Sequence, residues 1–230
     1  MSITLFGSCR INEILDNNNL NNLLNYTHST KEVIQLIRFL KRELVIHEPY
    51  NKLCFRTGIL KNKFIYYNDT INKLFVDTDI FIIEICSSKK YIYNNFYLHH
   101  LCVDKRNSRP WWKNTDKEIL NNFRVEKQTD KEIENDILEI QKMLYPKKII
   151  IVSHYNVKKD GHYINSRNHL INLLDNICKK YTITFINPTI VLSSYSQEQV
   201  MNSDLGHYTD FGIKQFSKYM NNFLKSQFNN

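Results

Sequence analysis

The chain has no alanine at all, and only five glycines and four prolines among its 230 residues. So little glycine excludes collagen-like repeats and Gly/Ser linkers. The five cysteines, Cys9, Cys54, Cys86, Cys102 and Cys178, are odd in number and include no Cys-x-x-Cys pair. Neither a disulfide framework nor a structural zinc site is expected from them. No apolar run approaches the roughly 20 residues that a membrane-spanning helix needs, so no membrane association is expected. Met1–Phe6 carries no basic leader, which together with the cysteines gives the expectation of a reducing, cytoplasmic location. There is no Gly-rich phosphate loop and no dinucleotide fingerprint, and no cofactor is expected.

What is present is equally skewed. The sequence holds 29 asparagines, 28 isoleucines and 23 lysines. These residues have A/T-rich codons, whereas alanine and glycine have G/C-rich ones. Part of the net charge of +8 therefore reflects nucleotide bias rather than selection for an acidic partner. The lysines are scattered, as on a solvated surface, and nucleic acid is not the expected partner. A hydrophobic content of 42% with 13% aromatics is enough for a packed core.

The apolar runs are short and β-branched. Ile3–Phe6, Ile80–Ile85, Ile149–Val152 and Thr182–Ile186 read as strands, with Leu44–Ile46 and Phe64–Tyr67 as weaker ones. Near-continuous apolar strands are covered on both faces, as in a parallel sheet. Helical patterns lie between them. Ser29-x-x-Glu32 and Thr129-x-x-Glu132 are capping boxes that open helices, the first with Val33, Ile37, Leu40 and Leu44 on one face. The second carries Ile133, Ile137, Ile140 and Leu144 and stops at Pro146. Leu170, Leu173, Leu174 and Ile177 mark a third, and Ile213, Phe216, Met220 and Phe223 a C-terminal one. This alternation predicts one α/β domain over 1–230, with three α/β/α layers and a mostly parallel sheet. Residues at about 87–147 fit it poorly and read as an insertion over the strand ends. The Asn-rich segment 16–22 reads as a loop.

Active sites in such sheets lie at the carboxyl ends of the strands. Strand one ends in Gly7-Ser8-Cys9-Arg10, a small-residue turn that would expose a nucleophile. Asp204 and His207, three apart on a late loop, can act on it, with His207 as general base and Asp204 holding its tautomer. Both blocks resemble those of the SGNH (GDSL-type) hydrolase superfamily. There a Gly-Asp-Ser block follows the first strand, and a late Asp-x-x-His block precedes the last helix. Gly7-Ser8-Cys9 is similar to Gly-Ser-Cys variants associated with polysaccharide modification, and Asp204-x-x-His207-x-Thr209-x-x-Gly212 to the late block. Asp79–Ile85 resembles the strand leading to the superfamily's Gly-x-Asn-Asp, but Ser88 stands where the oxyanion-hole Asn would be.

The resemblance implies a five-stranded sheet in flavodoxin-like order. It also implies an acyl, for instance acetyl, esterase or O-acyltransferase acting on an acylated carbohydrate, with an acyl donor as a further partner. Ser8 and Cys9 both remain candidates for the nucleophile. A cysteine at a helix start beside His207 is expected to have a lowered pKa. The oxyanion would be held by the nucleophile's own amide, by the amide of Gly58 and by Ser88 or Asn156, with His154 a further candidate for that role. His99 and His100 are adjacent; in an extended segment they would point apart, so no metal is expected. Trp111, Trp112, Arg106 and Arg109 read as insertion core and loop charge. Two other classes stay open: a non-catalytic glycan-binding protein on the same scaffold, and a basic nucleic-acid binder.

Overall fold

A computed structural model describes residues 2–15, 24, 26–103 and 112–228. The Asn-rich segment 16–22, Arg106, Arg109 and Trp111 lie outside the described residues. In chain order the elements begin β1 (Ile3–Phe6), α1 (Cys9–Ile14), α2 (Thr30–Leu40), α3 (Tyr50–Cys54), α4 (Arg56–Lys61), α5 (Asp69–Val76) and β2 (Ile80–Ile85). There follow β3 (Lys89–Tyr93), β4 (Phe96–Tyr97), a 3₁₀ turn (His100–Cys102), α6 (Asn114–Asn122), β5 (Arg124–Lys127), α7 (Asp130–Leu144) and β6 (Lys148–Ser153). The last are β7 (Lys158–Lys159), β8 (His162–Tyr163), α8 (Asn165–Lys180), β9 (Thr184–Ile186), α9 (Pro188–Val191), α10 (Gln197–Val200) and α11 (Asp210–Phe228).

Among the described residues the central sheet has four strands in the order β1-β2-β6-β9, and every pair is parallel. The five-stranded expectation is corrected at one edge. Beside β1 the described residues make a single parallel bridge, Gly7 with Tyr26, closed by the Thr27 amide donating to the Gly7 carbonyl at 3.1 Å. The two weaker strand candidates form no ladder. Ile46 and Ile65 are buried as lone anchors, whereas Val45 and Tyr66 are exposed. Their apolar residues serve packing from irregular segments, which short runs cannot reveal.

Strand β2 explains the layers. All six of its residues are buried. Phe81, Ile83 and Ile85 face a core shared with α2, α7 and α8, while Ile80 and Ile82 face one shared with α1 and α11. Side chains alternate along a strand, so Glu84 falls on the α1/α11 side. It is a carboxylate 3% exposed amid isoleucine, and such burial demands partners.

The helix starts follow their caps. Thr129 and Glu132 exchange both bonds of a capping box. At α2 the Ser29 hydroxyl caps the Glu32 amide, and Glu32 Oε2 also accepts from the amide of His28. Within 87–127 the chain forms a separate antiparallel sheet, β4-β3-β5, together with α6. The next helix, α7, packs on α2 and β6 as part of the main layer. Trp112 packs against the core on the α2/α7 side.

Candidate functional site

At the carboxyl ends of β1, β2 and β6 lies a cavity of about 470 Å³. Ser8, Cys9 and Arg10 from the β1–α1 turn line it, as do Gly206 and His207 from the loop before α11. The two blocks at opposite ends of the chain thus meet on one cavity. Their link is Arg10. Its Nε pairs with Glu84 Oε1 at 3.3 Å, and its Nη1 donates to the Gly206 carbonyl at 2.7 Å. Burial opposes the Arg10 charge, but the neighbouring Glu84 carboxylate raises its pKa above the ordinary value. Arg167 donates to the Leu205 carbonyl at 3.0 Å and steadies the same loop from α8.

Glu84 organises the turn. Its Oε2 accepts from the Ser8 amide at 2.8 Å and from the Ser8 hydroxyl at 2.5 Å. The same hydroxyl accepts from the Arg10 amide as the N-cap of α1. Ser8 is only 2% exposed, and its hydroxyl is engaged as donor and acceptor. Gly7 permits this approach, because a Cβ there would stand 2.7 Å from Glu84 Cβ and from Ile11 Cγ2. Cys9, the first residue of α1, is partly exposed to the cavity.

The expected lowering of the Cys9 pKa is corrected. Burial raises it above the usual thiol value, with Glu13 and Glu84 adding to the rise and Arg10 and Arg56 working against it. Burial outweighs the helix start, so the resting group is a thiol. The His207 Nδ1 lies 2.6 Å from Asp204 Oδ2, and Asp204 Oδ1 accepts from the amides of Gly206 and His207. The His207 hydrogen bond, with the Gly206 amide, holds the Asp204 carboxyl at about 2. An ionised carboxylate only accepts, so Nδ1 carries the proton and Nε2 is left as the basic nitrogen.

The three residues read as oxyanion donors are not brought to this cavity. Gly58 is a packing glycine: a Cβ there would meet the Lys52 carbonyl at 2.3 Å, where α4 crosses α3. Ser88 lines a smaller neighbouring recess with Ser87 and Arg167. Asn156 faces α8 and α9: its side-chain amide donates to Asn168 at 2.8 Å and its backbone amide to Thr189 at 2.6 Å. His154, by contrast, lines both recesses, and its Nε2 is buried without a hydrogen-bond partner among the described residues. Burial holds its pKa well below the imidazole value, with Arg10 and Arg167 lowering it further.

Several lining residues were not singled out from sequence. No Asp or Glu is among the described lining residues, whereas Arg10, Arg56 and four histidines are. Arg56 lies over the Tyr26 ring, 4.1 Å from its centroid. His28 is lowered to about 4, by burial first and then by Arg10 and Arg56, against an opposing pull from Glu84. The one readable signal was Glu84, a lone carboxylate in a strand otherwise made of isoleucine and phenylalanine. The adjacency argument for His99 and His100 also fails. The backbone turns into a 3₁₀ helix at His100, and both rings lie on one side, centroids 4.5 Å apart, with His28 against each.

Among the described residues no helix is long and apolar enough to cross a membrane. Comparison with solved structures gives superpositions at low similarity. A crystal structure of a Lactobacillus plantarum protein matches at TM-score 0.40 and 10% identity over 99% of this chain and 97% of its own. A second crystal structure matches at TM-score 0.42 and 9% identity, over 100% and 99%. In sequence, the chain is 26% identical to the Vi polysaccharide biosynthesis protein TviD of Salmonella typhi, over 91% of this chain and 30% of that protein. It therefore spans under a third of this relative's length. The profile of the TviD N-terminal domain family matches residues 1–112 and 102–222, nearly the whole sequence. The chain belongs to the TviD N-terminal domain family.

Proposed function

We propose that this domain is an SGNH-like acyl esterase or O-acyltransferase acting on an acylated polysaccharide. Cys9 is the nucleophile, His207 the general base and Asp204 its orienting group. One observation carries the reading: Cys9 and an Asp204-bound His207 line the same cavity, joined by the Arg10 bond to Gly206. The similarity to a protein named for Vi polysaccharide biosynthesis supports a glycan substrate.

In this reading the Cys9 sulfur attacks the ester carbonyl while its proton passes to His207 Nε2. The tetrahedral oxyanion collapses, and the alcohol leaves with that proton, which leaves a thioester on Cys9. Water, or a sugar hydroxyl, then gives a proton to His207, attacks the thioester and releases the thiol. A raised thiol pKa makes base assistance necessary at neutral pH. The Cys9 amide has no intrahelical acceptor at the first position of α1. In this reading it forms the oxyanion donor set together with Arg56 and His154, which line the cavity, in place of Gly58, Ser88 and Asn156.

The test is hydrolysis of p-nitrophenyl acetate, with transfer to glycan acceptors in parallel. Cys9→Ala and His207→Ala are expected to lower kcat/KM by about 100-fold or more. Ser8→Ala keeps a nucleophile but loses the N-cap, with a stability cost of about 1–2 kcal/mol. Full activity in Cys9→Ala would sink the assignment, and loss in Ser8→Ala with unchanged melting would move the role to Ser8.

A further inference from the structure

We propose that His28, His99 and His100 bind one divalent transition-metal ion of the zinc class in the cavity wall. The inference goes beyond the acyl-transfer reading and does not depend on it.

The three imidazoles come from two separate segments. His28 precedes α2, while His99 and His100 open the 3₁₀ turn. Each can offer one ring nitrogen, and these three atoms all lie within 4.8 Å of one another. Nδ1 of His28 and Nδ1 of His100 are 3.2 Å apart, at hydrogen-bond distance when no metal is bound. Two imidazole nitrogens on a tetrahedral zinc ion stand roughly 3.3 Å apart, given Zn–N bonds of about 2.0–2.1 Å. His99 is 0% exposed, and its Nε2 has no hydrogen-bond partner among the described residues. A fully buried ring with an unmet nitrogen, beside two rings set at ligand spacing, is poor packing without a ligand. Its Nδ1 accepts from the Leu101 amide at 3.2 Å. That contact yields when the ring ligates, since one tautomer cannot serve both.

The donor set selects the ion. Three imidazoles and no thiolate suit zinc and its neighbours and disfavour magnesium and calcium. Glu32 Oε2 lies 3.7 Å from the same His28 Nδ1 and is buried beside the cluster; burial raises its pKa to about 7, and a cation bound there would favour its ionised form. Arg56 opposes the ion's charge from the cavity side. His28 and His100 line the cavity, so a fourth coordination position remains for water or a substrate oxygen, as in zinc sites that are not closed.

The experiment uses the full chain, stripped with a chelator and titrated with zinc alone by calorimetry and by thermal melting. Wild type is expected to bind one zinc per chain and to melt at a higher temperature when loaded. His28→Ala and His100→Ala should each weaken binding by about 100-fold or more, because each removes one of three ligands. Cys9→Ser combined with Cys86→Ser should leave binding unchanged, which separates this site from the catalytic reading. Should a histidine variant fail to fold, cobalt-loaded wild type gives a second readout: tetrahedral d–d bands without a thiolate charge-transfer band. The proposal is overturned if wild type binds no zinc. It is overturned equally if both histidine variants bind like wild type, if the double cysteine variant loses the ion, or if cobalt shows thiolate ligation.

Discussion

Ser8 and Cys9 are neighbours, but the fold uses them differently. Ser8 points its hydroxyl at Glu84 and caps α1, whereas Cys9 keeps its thiol on the cavity. Burial raises the Cys9 pKa, and this sets the sign of its reactivity with pH. A thiol raised above its ordinary value is protonated at neutral pH, and the thiolate fraction grows only as pH climbs through and beyond about 9. Alkylation of Cys9 by iodoacetamide should therefore be slow at pH 7 and still rising above about pH 9. A plateau reached below pH 7 would show a preformed thiolate and contradict the base-assisted mechanism. The choice between Ser8 and Cys9 was not legible in the sequence, because it depends on a partner 76 positions away, Glu84.

At the scale of elements, two contacts decide how the cavity is built. Arg10 ties the start of α1 to the loop before α11. Arg10→Ala removes that tie and leaves Glu84 buried without its cation. The expected outcome is a fall in kcat of about tenfold or more, with KM for a small ester little changed, because the loss is of His207 placement. Steady-state kinetics on p-nitrophenyl acetate checks this. The second contact is the crossing of α3 and α4 at Gly58. A Cβ there would stand 2.3 Å from the Lys52 carbonyl, so Gly58→Ala must push the helices apart. Denaturant unfolding should show a loss of about 1–3 kcal/mol, with kinetic constants for the folded fraction near wild type. A large fall in kcat at unchanged stability would return Gly58 to the oxyanion site. Sequence pattern placed α2, α7, α8 and α11 well, because each carries an apolar face at helical spacing and two begin at capping residues. It misread Leu44–Ile46 and Phe64–Tyr67, where single anchors such as Ile46 and Ile65 imitate a strand without any ladder.

For the whole molecule, the parallel sheet was readable because β1, β2 and β6 are apolar on both faces. That the described residues show only one bridge beyond β1, at Gly7 and Tyr26, was not, since one bridge leaves no periodicity in the chain. That Cys9 and His207 line one cavity follows the resemblance of two blocks. The electrostatic character of the cavity was not readable, because Arg56, His28, His100 and His154 come from four separated segments. Composition gave no help there: the surface lysines dominate the charge, while the lining is arginine and histidine. In the proposed reaction the acyl group is carried on Cys9. The most direct measurement is peptide mass spectrometry after brief exposure to p-nitrophenyl acetate and an acid quench. One acetyl adduct is expected, on Cys9, removed by neutral hydroxylamine and missing from Cys9→Ala. An adduct on Ser8, or brisk ester hydrolysis by Cys9→Ala, would contradict that reaction.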